Sequence, residues 1–207
     1  MPTSTDWLVF LGTAALFAVI PGPGILYVLA RSLRGGRGDG IRSTIGNGIG
    51  ALGHVAAAAV GLSAVLAASA TAFTVVKLLG AGYLIYLGAR ALLSRDHAPV
   101  EERRRANRSA VVQGMVSELL NPKTALFFLA FLPHFVHPGT APAPLVFGLL
   151  GVIAVLMALT VDLLVAVFAG TLGTRLLADP RWRRRQRVAS GVTMIGLGGA
   201  LTLAERG

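Results

Sequence analysis

The sequence contains no cysteine and is poor in charged residues. Without cysteine, disulfide bonds, thiolate metal sites and a thiol relay are excluded. Charged residues make up 14% of the chain and apolar residues 54%, whereas a soluble domain is typically about 25% charged. The few charges are concentrated in short gaps between long apolar runs that largely lack a polar stripe. This pattern predicts an all-α integral membrane protein rather than a soluble helical bundle.

Six apolar runs are long enough to be transmembrane helices, because crossing ~30 Å of hydrocarbon takes about 20 apolar residues. The predicted spans are residues 7–30, 44–68, 75–93, 111–136, 143–172 and 188–204. Only Asp6, and no basic residue, precedes the first run, so we interpret that run as a retained span rather than a signal peptide. The longest polar stretch, residues 94–110, is short enough to be a loop. The sequence therefore predicts one transmembrane domain over residues 1–207.

Arginine is distributed unevenly among the gaps between the predicted spans. The first, third and fifth gaps are rich in arginine, whereas the second and fourth, near Ser69 and His137, contain no lysine or arginine. Because cytoplasmic loops accumulate Lys and Arg, this predicts that the odd gaps are inside and both termini outside. Topology then explains the net charge of +10 without a nucleic-acid partner. Anionic membrane lipid is the generic partner of such loops.

The two halves of the chain share a pattern of helix breaks. The first span is interrupted by Pro21-Gly22-Pro23-Gly24 and the fourth by Asn121-Pro122-Lys123. The third and sixth spans each contain a glycine followed, after seven residues, by Gly-Ala. Since each half has three spans, the halves must run in opposite directions through the membrane. The pattern predicts two inverted three-helix repeats, at about 1–95 and 108–207, each with a proline-broken first helix.

The broken helices are the predicted substrate site. Proline removes a backbone N–H and clashes with the preceding turn, and the freed polar groups must be satisfied internally or face a water-filled cavity. Helix N-terminal N–H groups attract a carboxylate, and free carbonyls accept from an ammonium. The alternative is a simple kink in a packed helix. The predicted substrate-binding residues are Pro21, Gly22, Pro23, Gly24, Asn121, Pro122, Lys123 and Asp162.

Three titratable residues within the spans are candidates for proton coupling. Asp162 is an isolated carboxylate in an apolar span, a position that is energetically costly and usually functional. We hypothesise that it alternates between a proton and the substrate ammonium; the alternative is a structural pair with Lys123 or another donor. Glu118 is the second candidate, and the alternative is that it pairs with Lys123 across the break. His54 is the third, although its row of small neighbours also fits a packed hydrogen-bonding residue.

Several segments together carry a family pattern. They are Pro21-Gly22-Pro23, the glycine row of the second span, residues 77–88, Asn121-Pro122-Lys123 followed by Pro133-His134-Phe135, and Val161-Asp162. In order and spacing they resemble the lysine exporter and homoserine/threonine exporter family (LysE/RhtB). The resemblance implies efflux of amino acids or their derivatives from the bacterial cytoplasm, coupled to the proton gradient. This chain departs from the family pattern at Gly24, where an acidic or polar residue is frequent, and at Glu118, where a neutral residue is more usual.

Two other functional classes stay open at this point. A cation or metal exporter on the same fold is one, although the chain has no cysteine and its four histidines are scattered. An integral membrane enzyme is the other, although no nucleophile with a base or HExxH-type spacing is present. The sequence predicts no cofactor and no catalytic residue. It leaves open which amino acid is carried. It also leaves open the oligomeric state, and the sequence is compatible with a homo-oligomer.

Overall fold

The structure is a computed structural model that describes residues 4–93, 109–137 and 141–178. It also describes single positions in the C-terminal segment, namely Arg181, Arg184, Arg185, Val188, Gly191, Val192, Ile195, Gly196 and Gly199. Throughout these residues the secondary structure is helical, without strands. The predicted all-α class is therefore confirmed. Most of the predicted sixth span, 188–204, and most of the loop 94–110 lie outside the described residues.

Seven α-helices and three tighter or wider helical turns follow one another along the described chain. The α-helices are α1 (Ser4–Val19), α2 (Pro23–Ala57), α3 (Ser63–Ala68), α4 (Ala70–Leu93), α5 (Ala110–Leu119), α6 (Pro122–Leu126) and α7 (Ala143–Ala178). A π-helical turn, Ala58–Leu62, joins α2 to α3. A second π-helical turn, Phe127–Phe131, and a 3-10 turn, Leu132–Phe135, continue α6.

Several of these helices have the length and apolar character of membrane spans. In the described part of the chain, two helical stretches pass this test outright, Pro23–Val65 and Ala143–Ala169. A third span results if α5 and the stretch Pro122–Phe135, which meet at a bend of 43°, are counted as one broken helix. The helix α1 is apolar but only 16 residues long. These helices are compatible with a membrane protein.

The helix α2 contains a sharp kink at Gly36. There φ is 75° and ψ is −175°, a conformation essentially confined to glycine. A straight helix over Pro23–Val65 would be about 65 Å long at 1.5 Å per residue, roughly twice the hydrocarbon thickness. The kink therefore divides α2 into two shorter helical parts, residues 23–35 and 37–57.

Contacts across Gly36 show that the chain reverses there. A Cβ added to Gly40 would collide with the side chain of Ser32, eight residues earlier, which in a straight helix would lie about 12 Å away along the axis. Arg31 Nη2 also donates to Asp39 Oδ2 at 2.7 Å. The first arginine-rich gap, expected to be a loop, is thus helical on both sides of a turn at Gly36.

The core is aromatic and lies between α1, the second part of α2, the segment after α6 and α7. Its fully buried large side chains include Phe10, Phe127, Phe135, Phe147, Leu132 and Leu150. The second part of α2 also packs closely on α5, because a Cβ on Gly50 would lie 2.6 Å from the carbonyl oxygen of Met115. The glycine row of the predicted second span therefore does mediate close helix packing, as expected.

Candidate functional site

Both predicted helix breaks are present. The first helix ends at Val19, and α2 starts with Pro23 in its first turn after an extended Gly22. In the second break, α5 ends at Leu119, and α6 starts with Pro122 after Asn121. Proline is favoured at a helix start because that position needs no N–H donor. Each break therefore leaves one helix C-terminus and one new helix N-terminus inside the protein.

Lys123, in the second break, caps the helix that ends at the first break. Its Nζ donates to the carbonyl oxygens of Phe17 and Ile20, each at 2.6 Å. The Phe17 carbonyl would normally accept from residue 21, which is a proline without an N–H. The ammonium also lies 4.2 Å from the centre of the Phe17 ring and complements the negative end of the helix dipole. Lys123 is only 6% exposed.

Glu118 reaches from the last turn of α5 to the start of α2. Its Oε1 accepts from Thr124 Oγ1 at 2.5 Å, and its Oε2 accepts from Asn121 Nδ2 at 3.0 Å. A Cβ added to Gly24 would collide with Oε2, so the carboxylate lies directly against the first turn of α2. A carboxylate is stabilised at a helix N-terminus by the free N–H groups and the helix dipole. The two breaks are thus joined a second time.

Asp162, in the middle of α7, is bound by an amide from α2. Asn47 Nδ2 donates to Asp162 Oδ2 at 2.8 Å, and the two residues are 3% and 5% exposed. The other polar side-chain atom of Asn47, the oxygen Oδ1, is buried and has no hydrogen-bond partner among the residues that the structure describes. The same amide nitrogen lies 3.1 Å from where a Cβ on Gly24 would be. Asn47 therefore connects the carboxylate of α7 to the first helix break.

A small cavity of about 50 Å³ lies where these groups meet. Its polar wall comprises Gly22, Gly24, Glu118, Asn121, Lys123, Thr124 and Asp162. Its apolar wall comprises Phe17, Ala18, Ile25, Ala51, Phe127, Phe128, Ala154, Val155 and Ala158. This volume suits a few water molecules, whereas sites for drug-sized ligands measure about 300–1,000 Å³. The cavity is therefore too small for a ligand of that size.

The structure brings most of the predicted site residues together. Gly22, Gly24, Asn121, Lys123 and Asp162, with Glu118, line the cavity. The prolines Pro21, Pro23 and Pro122 shape the breaks and are not part of the lining. His54 lies behind Glu118, with Nε2 at 3.0 Å from its backbone oxygen and the ring stacked on Phe128.

The partners of the charged residues agree in part with the alternatives considered for them. Within the described part of the chain, Lys123 forms no ion pair closer than 4.0 Å with Glu118 or Asp162, and its ammonium lies on carbonyl oxygens. Lys123 therefore binds backbone oxygens rather than Glu118 or Asp162. The donor to Asp162 is the amide of Asn47, which agrees with the alternative of a structural pair with a donor other than Lys123.

Sequence reasoning missed Asn47, Thr124 and the two carbonyl groups that bind Lys123. Asn47 could have been found, because it is an isolated amide between Gly46 and Gly48 in an apolar span. Thr124 could have been found from its position directly after the second break. The carbonyls of Phe17 and Ile20 carry no side-chain signal. Among the residues that are described, no group of three or more His, Asp or Glu side chains is arranged to hold a metal ion.

An apolar helical protein with a buried polar site at paired helix breaks has the architecture of a membrane transporter. Comparison with known proteins agrees. The chain belongs to the LysE type translocator family, which it matches over residues 15–205.

Individual relatives cover most of the chain. It is 36% identical to an uncharacterized membrane protein of Pseudomonas aeruginosa, over 93% of this chain and 91% of the relative. It is 29% identical to a homoserine/homoserine lactone efflux protein of Salmonella typhimurium, over 97% of both chains. A leucine efflux protein of the same species is 32% identical over 66% of this chain and 65% of the relative. No solved structure matches the chain significantly.

Proposed function

We propose that this protein exports amino acids or amino-acid derivatives across the bacterial plasma membrane in exchange for protons. The efflux proteins among its relatives support an amino-acid exporter. The proposed architecture is the six-span arrangement of two inverted repeats, about 1–95 and 108–207, with both termini outside. Matched helix breaks in α1–α2 and α5–α6, each with proline in the first turn of the following helix, support it.

One observation carries the proposal. Polar groups from both breaks, and the carboxylate of α7, surround the same buried cavity. In hydrocarbon, non-helical backbone is tolerated where it is buried in protein or lines a cavity, so a cavity at both breaks is the expected form of a substrate site. Two residues of the second break region contact the first break. Lys123 donates to carbonyl oxygens at the end of α1, and the carboxylate of Glu118 lies against the first turn of α2.

Asp162 is the best candidate for the group that exchanges a proton for the substrate. It lines the cavity, and within the described ranges only Asn47 donates a hydrogen bond to it. Glu118 also lines the cavity, but two side-chain donors hold its carboxylate, which lies against the start of α2. His54 contacts a backbone oxygen and stands outside the lining. We therefore assign proton exchange to Asp162 and structural roles to Glu118 and His54.

Transport requires that the cavity enlarge and open to each side in turn. Rocking of one repeat against the other around a fixed central site is the usual route in inverted-repeat carriers. Such a motion would strain the contacts between the two breaks. These are the hydrogen bonds of Lys123 to carbonyl oxygens of α1 and the packing of Glu118 against the first turn of α2. Membrane lipid surrounds the protein, and the arginines of α2 at the Gly36 turn would face the cytoplasm.

The test is export in inside-out membrane vesicles with an imposed pH gradient, using radiolabelled leucine and homoserine. We expect gradient-driven transport by the native protein and its loss in Asp162→Asn, which keeps the size but removes the charge. Thr160→Val is the matched control, because Thr160 is exposed on the same helix and its hydroxyl bonds only the backbone oxygen of Leu156. Full gradient-driven transport by the Asn variant, at equal expression, would contradict the role of Asp162.

A further inference from the structure

The charged groups around the cavity do not balance. Two carboxylates, Glu118 and Asp162, and one ammonium, Lys123, line it, which gives a formal sum of −1. His54 stands behind Glu118, outside the lining. A buried net charge is costly in a low-dielectric interior unless a partner compensates it. The site therefore needs one positive charge when it is loaded.

The positive features of the site are already in use. Two of the three N–H donors of the Lys123 ammonium form hydrogen bonds with carbonyl oxygens at the end of α1. The first turn of α2, the other electropositive feature, has the carboxylate of Glu118 against it. A carboxylate on the substrate would have to compete with one of these internal partners.

The acceptors, in contrast, are incompletely used. Among the described residues, the carboxylate of Asp162 receives one hydrogen bond, from the amide of Asn47. Asn47 is not part of the cavity lining, and its Oδ1 has no partner in the described part of the chain although the residue is 3% exposed. A buried acceptor with unused capacity is costly, and a donor placed beside the carboxylate of Asp162 would recover that cost. An ammonium group has three donors and one positive charge, and so meets both needs at once.

We propose that the preferred substrates are monocationic primary amines whose carboxyl group is masked, such as amino-acid amides, esters and lactones, with the ammonium held at the carboxylate of Asp162. This inference rests on the proposed function. With a proton on Asp162, or with such an amine beside it, the site is neutral, so one proton exchanges for one cation. A zwitterionic amino acid adds no net charge and brings a carboxylate for which the internal partners leave little room.

The experiment is equilibrium binding to the purified full-length protein in detergent at pH 6.5, where an α-amino group is charged. Two matched pairs, leucine with leucinamide and homoserine with homoserine lactone, isolate the carboxylate from the side chain. We expect the masked member to bind at least tenfold more tightly in each pair. Equal or tighter binding of the free amino acid, lysine binding as tightly as leucinamide, or no binding of either masked compound would overturn the inference.

Two variants test the charge balance itself. Asp162→Asn should weaken leucinamide binding at least tenfold, whereas Thr160→Val should leave it unchanged. Asn47→Asp changes the formal sum around the site to −2, and it should shift preference at least fivefold from leucinamide toward the dication lysinamide. An unshifted preference in a folded Asn47→Asp protein would contradict the balance.

Vesicle transport separates this inference from the proposed function. If leucine binds better than leucinamide and its export responds to the pH gradient, the substrate class is wrong and the exporter stands. If none of the four compounds binds and none is exported, both proposals fail.

Discussion

The ammonium nitrogen of Lys123 lies 2.6 Å from the carbonyl oxygen of Ile20, although the residues are 103 positions apart in the chain. One belongs to the second helix break and the other to the first. A single side chain of the second half therefore completes a helix end in the first half.

Lys123→Met should destabilise the protein, because it leaves the carbonyls of Phe17 and Ile20 without their donor. Each unsatisfied buried acceptor costs about 1–3 kcal/mol. We expect a clearly lower thermal unfolding temperature in detergent. Arg42→Gln is the control, since Arg42 is mostly exposed and makes only a 3.4 Å ion pair with Asp39, and it should change stability little. Unfolding of Lys123→Met at the native temperature would show that the cap is dispensable.

Gly24→Ala should abolish export while the protein still inserts into the membrane. The new Cβ would occupy the place of Glu118 Oε2 and crowd the Asn47 amide, so both site side chains must shift. Gly12→Ala is matched to it, because nothing lies within 4 Å of a Cβ there. We expect at least a tenfold lower export rate for the first variant and the native rate for the second, both normalised to protein in the membrane. Equal rates would argue against a tight contact between the breaks.

Gly36→Ala should destabilise the turn between the two parts of α2. At φ 75° and ψ −175° a side chain is strained, and such a conformation costs about 1–3 kcal/mol in a residue other than glycine. Gly38→Ala, two residues later, meets nothing within 4 Å and has an ordinary φ. Thermal unfolding of both variants should show a decrease for residue 36 only. A stable Gly36→Ala protein would mean that the turn can adopt another geometry.

The proposed orientation can be tested with single cysteines, because the chain has no native thiol. Gly38→Cys should react with an impermeant maleimide only after the cells are opened, since the arginine-rich turn is predicted to be cytoplasmic. Ser4→Cys, an exposed position at the start of α1, should react in intact cells. Residue 38 is preferable to residue 36, where the backbone itself resists a side chain. The reverse labelling pattern would invert the topology.

Sequence reasoning located the helix breaks and Asp162 for physical reasons. Proline cannot continue a helix without losing a hydrogen bond, and an isolated acid in an apolar run has few explanations. It could not find the partner of Asp162, because Asn47 is 115 residues away and pairing at that distance depends on how α2 packs against α7. It also could not anticipate that Lys123 binds peptide carbonyls, since every residue has one.

Two positions at which the sequence was expected to depart from the family pattern are neighbours in space. The expected departures were a glycine in place of an acidic or polar residue at position 24, and an acid in place of a neutral residue at position 118. In the structure, the carboxylate of Glu118 occupies the space where a side chain on residue 24 would begin. The absence of a side chain at Gly24 therefore makes room for Glu118, a contact that single positions in a sequence do not reveal.

The cap that Lys123 places on α1 also makes the end of that helix sensitive to what enters the cavity. An anion that reached the ammonium would compete with the carbonyls of Phe17 and Ile20, and the last turn of α1 would loosen as the anion bound. Loading with the wrong charge would therefore fray a helix, whereas loading at Asp162 would leave the cap intact. A single ammonium shared between a helix end and a cavity would in this way couple the charge of the bound ligand to the stability of the helix end.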